Sequence, residues 1–239
     1  MITIGKRAIF MNDFWKEFWK GHGRANVSSD LQSQVLRTIN KQPVSAKEFQ
    51  AILKDIEKKI DIKGDDSILD LCCGNGLITM FLASKCKNIT GVDFSEELIL
   101  QIDLEKHSNI FIVIDDIRKV DFANESFDKI IIYAGLQYLT HQETIRFFES
   151  AIRWLKKGGI FLVGDIPDSE HLWDFSNTEE RQAAYFDALK MNSPFIGTWF
   201  ETQWLMNLGK YAGFKKVDIL PQPAHLPYSH YRFDLLLQK

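Results

Sequence analysis

Cysteine is rare in this chain: Cys72, Cys73 and Cys86 are the three among 239 residues. An odd number crowded into one stretch excludes a disulfide framework, and the spacing lacks the separated pairs of a zinc site. Proline is scarce too, at six residues. No Pro/Gly-rich linker, internal period or low-complexity tract divides the sequence, so no second domain boundary is expected. An excess of basic charge is also missing, since 29 Lys and Arg face 32 Asp and Glu for a formal net charge of -3. That balance disfavours a nucleic-acid partner, because such binders neutralise phosphates. Charged residues interrupt every candidate membrane span, and the opening MITIGKRAIFMNDFWKEFWK has no apolar run long enough for a signal peptide. The expectation is a cytoplasmic protein without a membrane partner. The six histidines show no metal-ligand spacing, so no metal is expected.

Short β-rich apolar runs are present instead, and from Ser67 onward they alternate with helix-like stretches. SILDLC, NITGVDF, IFIVID, KIIIYA and GIFLVGD are strand candidates, and their alternation with helices predicts a parallel sheet with crossover connections. KKVDILP and YRFDLLLQK have only a Pro-containing loop between them, which predicts an antiparallel hairpin closing the sheet. The fold class is α/β, a doubly wound Rossmann-like sheet of seven strands with helices on both faces. Helix starts are marked by Ser95 before Glu96 and Glu97, and by capping boxes at Ser45/Glu48 and Thr140/Glu143. Lys156, Lys157, Gly158 and Gly159 read as a basic last turn and glycine stop. Within one domain, residues 1–65 form a helical extension, 66–165 the core, 166–200 an aromatic insert, and 201–239 a helix and the hairpin. The extension and the insert are placed to cover a site at the strand ends.

The chemistry is carried by ILDLCCGNGLIT at residues 68–79, a strand ending in Asp70 that turns through glycines into a helix. Gly74 and Gly76 permit tight turning and close approach of a ligand to the backbone. A nicotinamide-cofactor fingerprint would place a third glycine where Thr79 stands, and a carboxylate at Asp70 repels pyrophosphate but attracts an ammonium group. About 20 residues on, Asp93 ends the second strand, where its two oxygens can bind both hydroxyls of a ribose. Asp116 follows the third strand, and with the amide of Ile117 it can read the edge of an adenine. A single aspartate at a strand end is more often a cap or turn residue. Three of them, each after a strand, make coincidence the poorer explanation.

In this order the elements resemble the class I S-adenosylmethionine-dependent methyltransferases, over roughly residues 67–165 and the C-terminal hairpin. The resemblance implies that Asp70, Cys72, Gly74, Asn75 and Gly76 hold the methionine part of the cofactor. It implies ribose at Asp93, adenine packing at Phe94, and recognition of the adenine edge by Asp116 and Ile117. FDKIIIYAGLQYL is similar to the family's fourth strand, whose end lines the transferred methyl group, implicating Tyr133, Ala134 and Tyr138. Many members have glycine where this chain has Cys72, and DLCCGNG resembles the small-molecule branch that includes quinone-biosynthesis enzymes. GDIPD and YRFDLLLQK are similar to methyltransferases of bacterial surface-sugar pathways.

The implied activity is methyl transfer from S-adenosylmethionine, leaving S-adenosylhomocysteine, to an oxygen or nitrogen of a small molecule: an amino sugar, sugar nucleotide or quinone-like acceptor. A nicotinamide-dependent oxidoreductase and a non-catalytic cofactor-binding protein are the competing readings. His171, just after the fifth strand, is the candidate general base and Tyr138 the candidate orienting group. Trp15, Trp19, Tyr138 and Trp173 are candidate acceptor-site walls, although the helical spacing of Trp15 and Trp19 equally suits a packing face. Cys72 and Cys73 read as buried, unreactive thiols, and Cys86 is placed in the first crossover helix. Arg37 can pair with the cofactor's carboxylate, but a surface arginine is the commoner state.

Overall fold

A computed structural model describes residues 11–26, 30–191 and 193–239. The first ten residues of the N-terminal segment considered above lie outside the described residues. Seven strands, β1 (Ser67–Leu71), β2 (Asn88–Asp93), β3 (Ile110–Ile114), β4 (Phe127–Tyr133), β5 (Leu155–Pro167), β6 (Lys216–Pro221) and β7 (Arg232–Gln238), form one sheet in the order β3-β2-β1-β4-β5-β7-β6. The first five run parallel; β7 is antiparallel to both β5 and β6. All seven expected strands form, and the expected hairpin closes the sheet.

The near-continuous apolar runs of the central strands follow from burial on both faces. Leu69, Leu71, Ile130, Ile132, Phe161 and Val163 point to one face, and the alternate residues Ile68, Ile131 and Leu162 to the other. The first face is covered by helix α6 (His141–Trp154) through Phe147, Phe148, Ala151 and Trp154, and by α9 (Thr202–Ala212) through Leu205 and Leu208. The second is covered by α3 (Ala46–Ile60) through Phe49, Ile52, Leu53, Ile56 and Ile60, and by α4 (Leu77–Ala83) through Ile78 and Leu82. Both capping boxes form as their spacing requires: Ser45 accepts from the Glu48 amide and Thr140 from the Glu143 amide, with each glutamate returning to its cap. Ser95 caps α5 (Glu96–Ile99) through the Leu98 amide.

Two local readings are corrected. Helix α6 ends at Trp154, and the base in its last turn is Arg153. The fully buried Leu155 already pairs with Phe127, so Lys156 to Gly159 fall in an irregularity before Ile160 pairs with Lys129. Lys156 reaches across it to Asp128, at 2.8 Å. Cys86 lies beyond the end of α4, not within it.

Because β1 and β4 are neighbours while their following helices leave to opposite faces, a crevice opens beyond their C-terminal ends. The helix α1 (Met11–Ala25) and the residues just after the short α2 (Leu31–Gln34) border that opening, as does the segment following β5, through Phe175 of α7 (Leu172–Phe175) and Phe195 beyond α8 (Glu179–Lys190). Phe148, fully buried between α6 and the sheet, tests the packing. Phe148→Ala is expected to lower the stability by about 3–5 kcal/mol, read as a lower urea midpoint at unchanged slope.

Candidate active site

The chain leaves β1 through three left-handed residues, Cys72 (φ 58°), Gly74 (φ 55°) and Gly76 (φ 74°). For Gly74 the conformation is free of strain, and its bare amide donates to Asp93 Oδ2 at 2.9 Å. A side chain there would also meet Val35 at 3.1 Å. Cys72 adopts the same backbone region without that freedom, which accounts for glycine being common at this position in the resembled family. Its side chain occupies the room left by Gly135, where an added Cβ would stand 2.8 Å from that of Cys72.

Asp70 is 2% exposed, and Thr79 Oγ1 donates to its Oδ2 at 2.6 Å. The residue that departs from a dinucleotide fingerprint thus serves the carboxylate. Burial pushes the Asp70 carboxyl up to about 7, with the Asp93 charge adding to the effect and the Thr79 bond and Arg37 opposing it. Asp93 is buried as well, its Oδ1 taking the Ser95 amide at 2.9 Å, and burial raises its carboxyl against those bonds. Asn75 donates to the Leu31 carbonyl at 2.8 Å and to Gln34 at 3.0 Å, while its own Oδ1 is buried without a partner.

Asp70, Cys72, Gly74, Asn75, Asp93 and Phe94 all border one cavity of about 410 Å³. Arg37 borders it too, and the surface reading of that residue is corrected: it is 9% exposed, its guanidinium lies over Phe49 (5.1 Å) and Tyr133 (5.7 Å), and its Nη1 is buried without a hydrogen-bond partner. The available signal was the apolar pair Val35–Leu36 directly before it.

Beyond Tyr133 and Ala134 (φ 57°) the same cavity continues past Tyr138, which packs on Trp15 (4.8 Å) and Trp19 (5.7 Å) of α1. Burial pushes the Tyr138 phenol up to about 12, so it is a neutral hydroxyl at physiological pH. Asp165, Arg232 and Gln137 form the far wall. Sequence reasoning did not single these out; the only signal was a carboxylate at the end of β5 and an arginine opening the last apolar strand.

Other expected site residues stand elsewhere. Gly76, Asp116, Ile117, His171 and Trp173 are not in the cavity wall. Gly76 is turned toward Ile102, whose side chain would meet an added Cβ at 2.6 Å. The Asp116 carboxylate is held by Arg118 through its amide (3.0 Å), Nε (2.8 Å) and Nη2, and Arg118 also reaches Glu143. The Arg118 pairing keeps the Asp116 carboxyl below its ordinary value despite burial, while Ile117 packs into the core beside β2 and β4. His171 ends a 3-10 turn capped by Asp168, and its Nδ1 lies 3.1 Å from Asp168 Oδ2 with the ring half exposed. Trp173 is 51% exposed and packs on Tyr185 and Phe186. The insert turns both side chains outward, because Asp168 fixes the first and an aromatic cluster fixes the second.

Residues 68–159 match the family model described as "Methyltransferase domain". N-methyltransferase 4 of Papaver somniferum is 32% identical over 113 residues, 44% of this chain and 31% of that protein. Demethylmenaquinone methyltransferase of Leptospira interrogans is 30% identical over 130 residues, 51% of each. The chain spans about half or less of the length of the first curated relatives it matches. Phosphoethanolamine N-methyltransferase 1 of Haemonchus contortus, solved with phosphoethanolamine and S-adenosylhomocysteine, superposes with a TM-score of 0.69 at 18% identity, covering 98% of this chain and 50% of that one. At that identity the likeness is one of fold.

The Asp70 carboxyl gives a test independent of any ligand. Its raised value favours the protonated folded state, so its contribution to stability is present below its unfolded value, near 4, and lost as pH rises through about 7. Asp70→Asn is expected to flatten the fall in urea midpoint between pH 5 and pH 8; an unchanged fall would assign the pH dependence to other groups.

Proposed function

We propose that this protein, which carries a class I S-adenosylmethionine-dependent methyltransferase domain, moves the methyl group of S-adenosylmethionine to an oxygen or nitrogen of a small molecule. One observation carries the reading. A single cavity at the strand-order reversal joins a polar end at Asp70, Asp93 and Arg37, whose buried Nη1 has no hydrogen-bond partner, to an aromatic end at Tyr138.

The polar end fits the cofactor's charges. Asp70 faces an ammonium group, and the Arg37 Nη1 supplies the donor a carboxylate needs. Asp93, held by two backbone amides, offers its remaining lone pairs to ribose hydroxyls, with Phe94 beside the ring. Asp116 would read the adenine edge only after giving up Arg118, so Phe94 and the neighbouring Leu98 are the better-placed partners of the base. The cofactor supplies a methyl group already activated on a positively charged sulfur. The protein's own work is then chiefly to hold the acceptor in line and keep water out. Tyr138 orients the acceptor as a hydrogen-bonding hydroxyl. His171, engaged by Asp168 outside the cavity, is not assigned a part. Among the described residues no helix is long and apolar enough to cross a membrane.

Calorimetric titration with S-adenosylmethionine, S-adenosylhomocysteine and NAD tests the reading. Both sulfur compounds are expected to bind, and Asp93→Ala to weaken them at least about tenfold; binding of NAD alone would overturn it. Arg37→Met is expected to weaken S-adenosylhomocysteine about tenfold while leaving 5′-methylthioadenosine, which lacks the amino-acid carboxylate, unchanged. Equal losses for both ligands would place Arg37 away from the carboxylate.

A further inference from the structure

Past Tyr138 the cavity contains polar groups to which the cofactor reading gives no work. Asp165 and Arg232 form its far wall with side chains only 6% and 9% exposed. Arg232 spends Nη1 on the chain, donating to Gln137 Oε1 at 2.7 Å and to the Asp165 carbonyl, with Asp165 Oδ2 at 3.3 Å. Its Nε is buried without a hydrogen-bond partner. Asp165 is similarly underused: Gln222 donates to Oδ1 at 3.2 Å, and both contacts are long beside the roughly 2.7–2.9 Å of charge-assisted bonds. Each member of the pair retains hydrogen-bonding capacity.

The backbone at Asp165 is unusual as well. It has φ 60° at the point where the β5–β7 pairing shifts between Val163 and Ile166. A non-glycine residue stays in this region only where its surroundings hold it, and such residues gather at functional sites. Here the Asp165 amide donates to Asp234 Oδ1 at 2.8 Å, and Lys59 holds Asp234 at 2.6 Å. The carboxylate of Asp165 is therefore set in place by a buried network before any ligand arrives.

The Arg232–Asp165 pair is neutral in sum, so an occupant bearing a full charge would be desolvated against it without a counter-charge. The two side chains meet through Arg232 Nη1 and Asp165 Oδ2 at 3.3 Å, with Arg232 Nε the unpartnered donor, so an occupant touching both must present a hydrogen-bond donor and an acceptor along the same edge. The surrounding walls are flat rings, including Trp15, Tyr138 and Tyr231, which suit a planar body. We propose that this end of the cavity is an acceptor subsite for a flat, uncharged ring with a hydroxyl beside a second oxygen, Asp165 accepting from the hydroxyl and Arg232 donating to its neighbour. The proposal rests on the methyl-transfer reading and adds the acceptor's class to it.

Calorimetry on the full chain saturated with S-adenosylhomocysteine, titrated with catechol, resorcinol, phenol and aniline, tests it. Catechol is expected to bind at least about tenfold tighter than the other three, and Asp165→Asn to abolish that preference. The variant's affinity for S-adenosylhomocysteine should stay within about twofold. The comparison of ring isomers on the unaltered protein needs no variant, so a folding failure of Asp165→Asn leaves the test standing. Equal affinity for catechol and resorcinol, or preference for aniline, would overturn the acceptor class alone. Failure of S-adenosylhomocysteine to bind the unaltered protein would instead overturn the methyl-transfer reading beneath it.

Discussion

The reversal of strand order between β1 and β4 is the constraint on which the rest of the structure depends. Parallel neighbours whose crossover helices leave to opposite faces cannot close the sheet over at their carboxyl ends. Here α4 follows β1 onto the face covered with α3, while α6 follows β4 onto the face shared with α9. The separation leaves backbone amides and side-chain carboxylates facing a common space that no helix fills. The Asp93–Gly74 hydrogen bond then ties the end of β2 to the turn after β1, giving that space a fixed inner wall.

A wall made this way carries an electrostatic cost. Asp70, Asp93 and Asp165 are buried around one cavity, and among the described residues of its wall Arg37 and Arg232 offset them. The structure answers differently at the two ends. At the glycine turn, desolvation raises both carboxyls above their ordinary value, Asp70 to about 7. At the far end, Asp165 has Arg232 beside it, and Lys59 stands between Asp55 and Asp234, so each buried carboxylate has a cation in contact.

Features fixed by neighbours in sequence were the ones legible in it. Strand runs, caps, the glycine turn and the aspartates ending β1 and β2 all depend on residues a few positions apart, and the structure places them as their spacing demands. Lys156 to Gly159 misled because a basic pair before two glycines has the composition of a helix end; the pairing of Leu155 with Phe127, 28 positions earlier, decided otherwise. His171 and Trp173 were read as facing the site from their nearness to β5, but a single residue's side of a loop is set by its partners, Asp168 and Tyr185. Arg232 escaped, and Arg37 read more readily as a surface residue than as a cofactor partner, for the opposite reason. Each is an isolated charge among apolar neighbours, and only the tertiary arrangement shows that both border the same cavity.

The N-terminal helix completes this logic. A sheet of this topology is closed without α1, yet Trp15 and Trp19 are each 8% exposed and pack on Tyr138. An aromatic pair at helical spacing is commonly a packing face, and it is one here. The surface it packs against is the cavity's own wall, so packing and enclosure are the same contact. Burial is also the largest cause that raises the Tyr138 phenol above its ordinary value. The aromatic end of the cavity therefore takes part of its apolar wall from a segment that the sheet itself does not require.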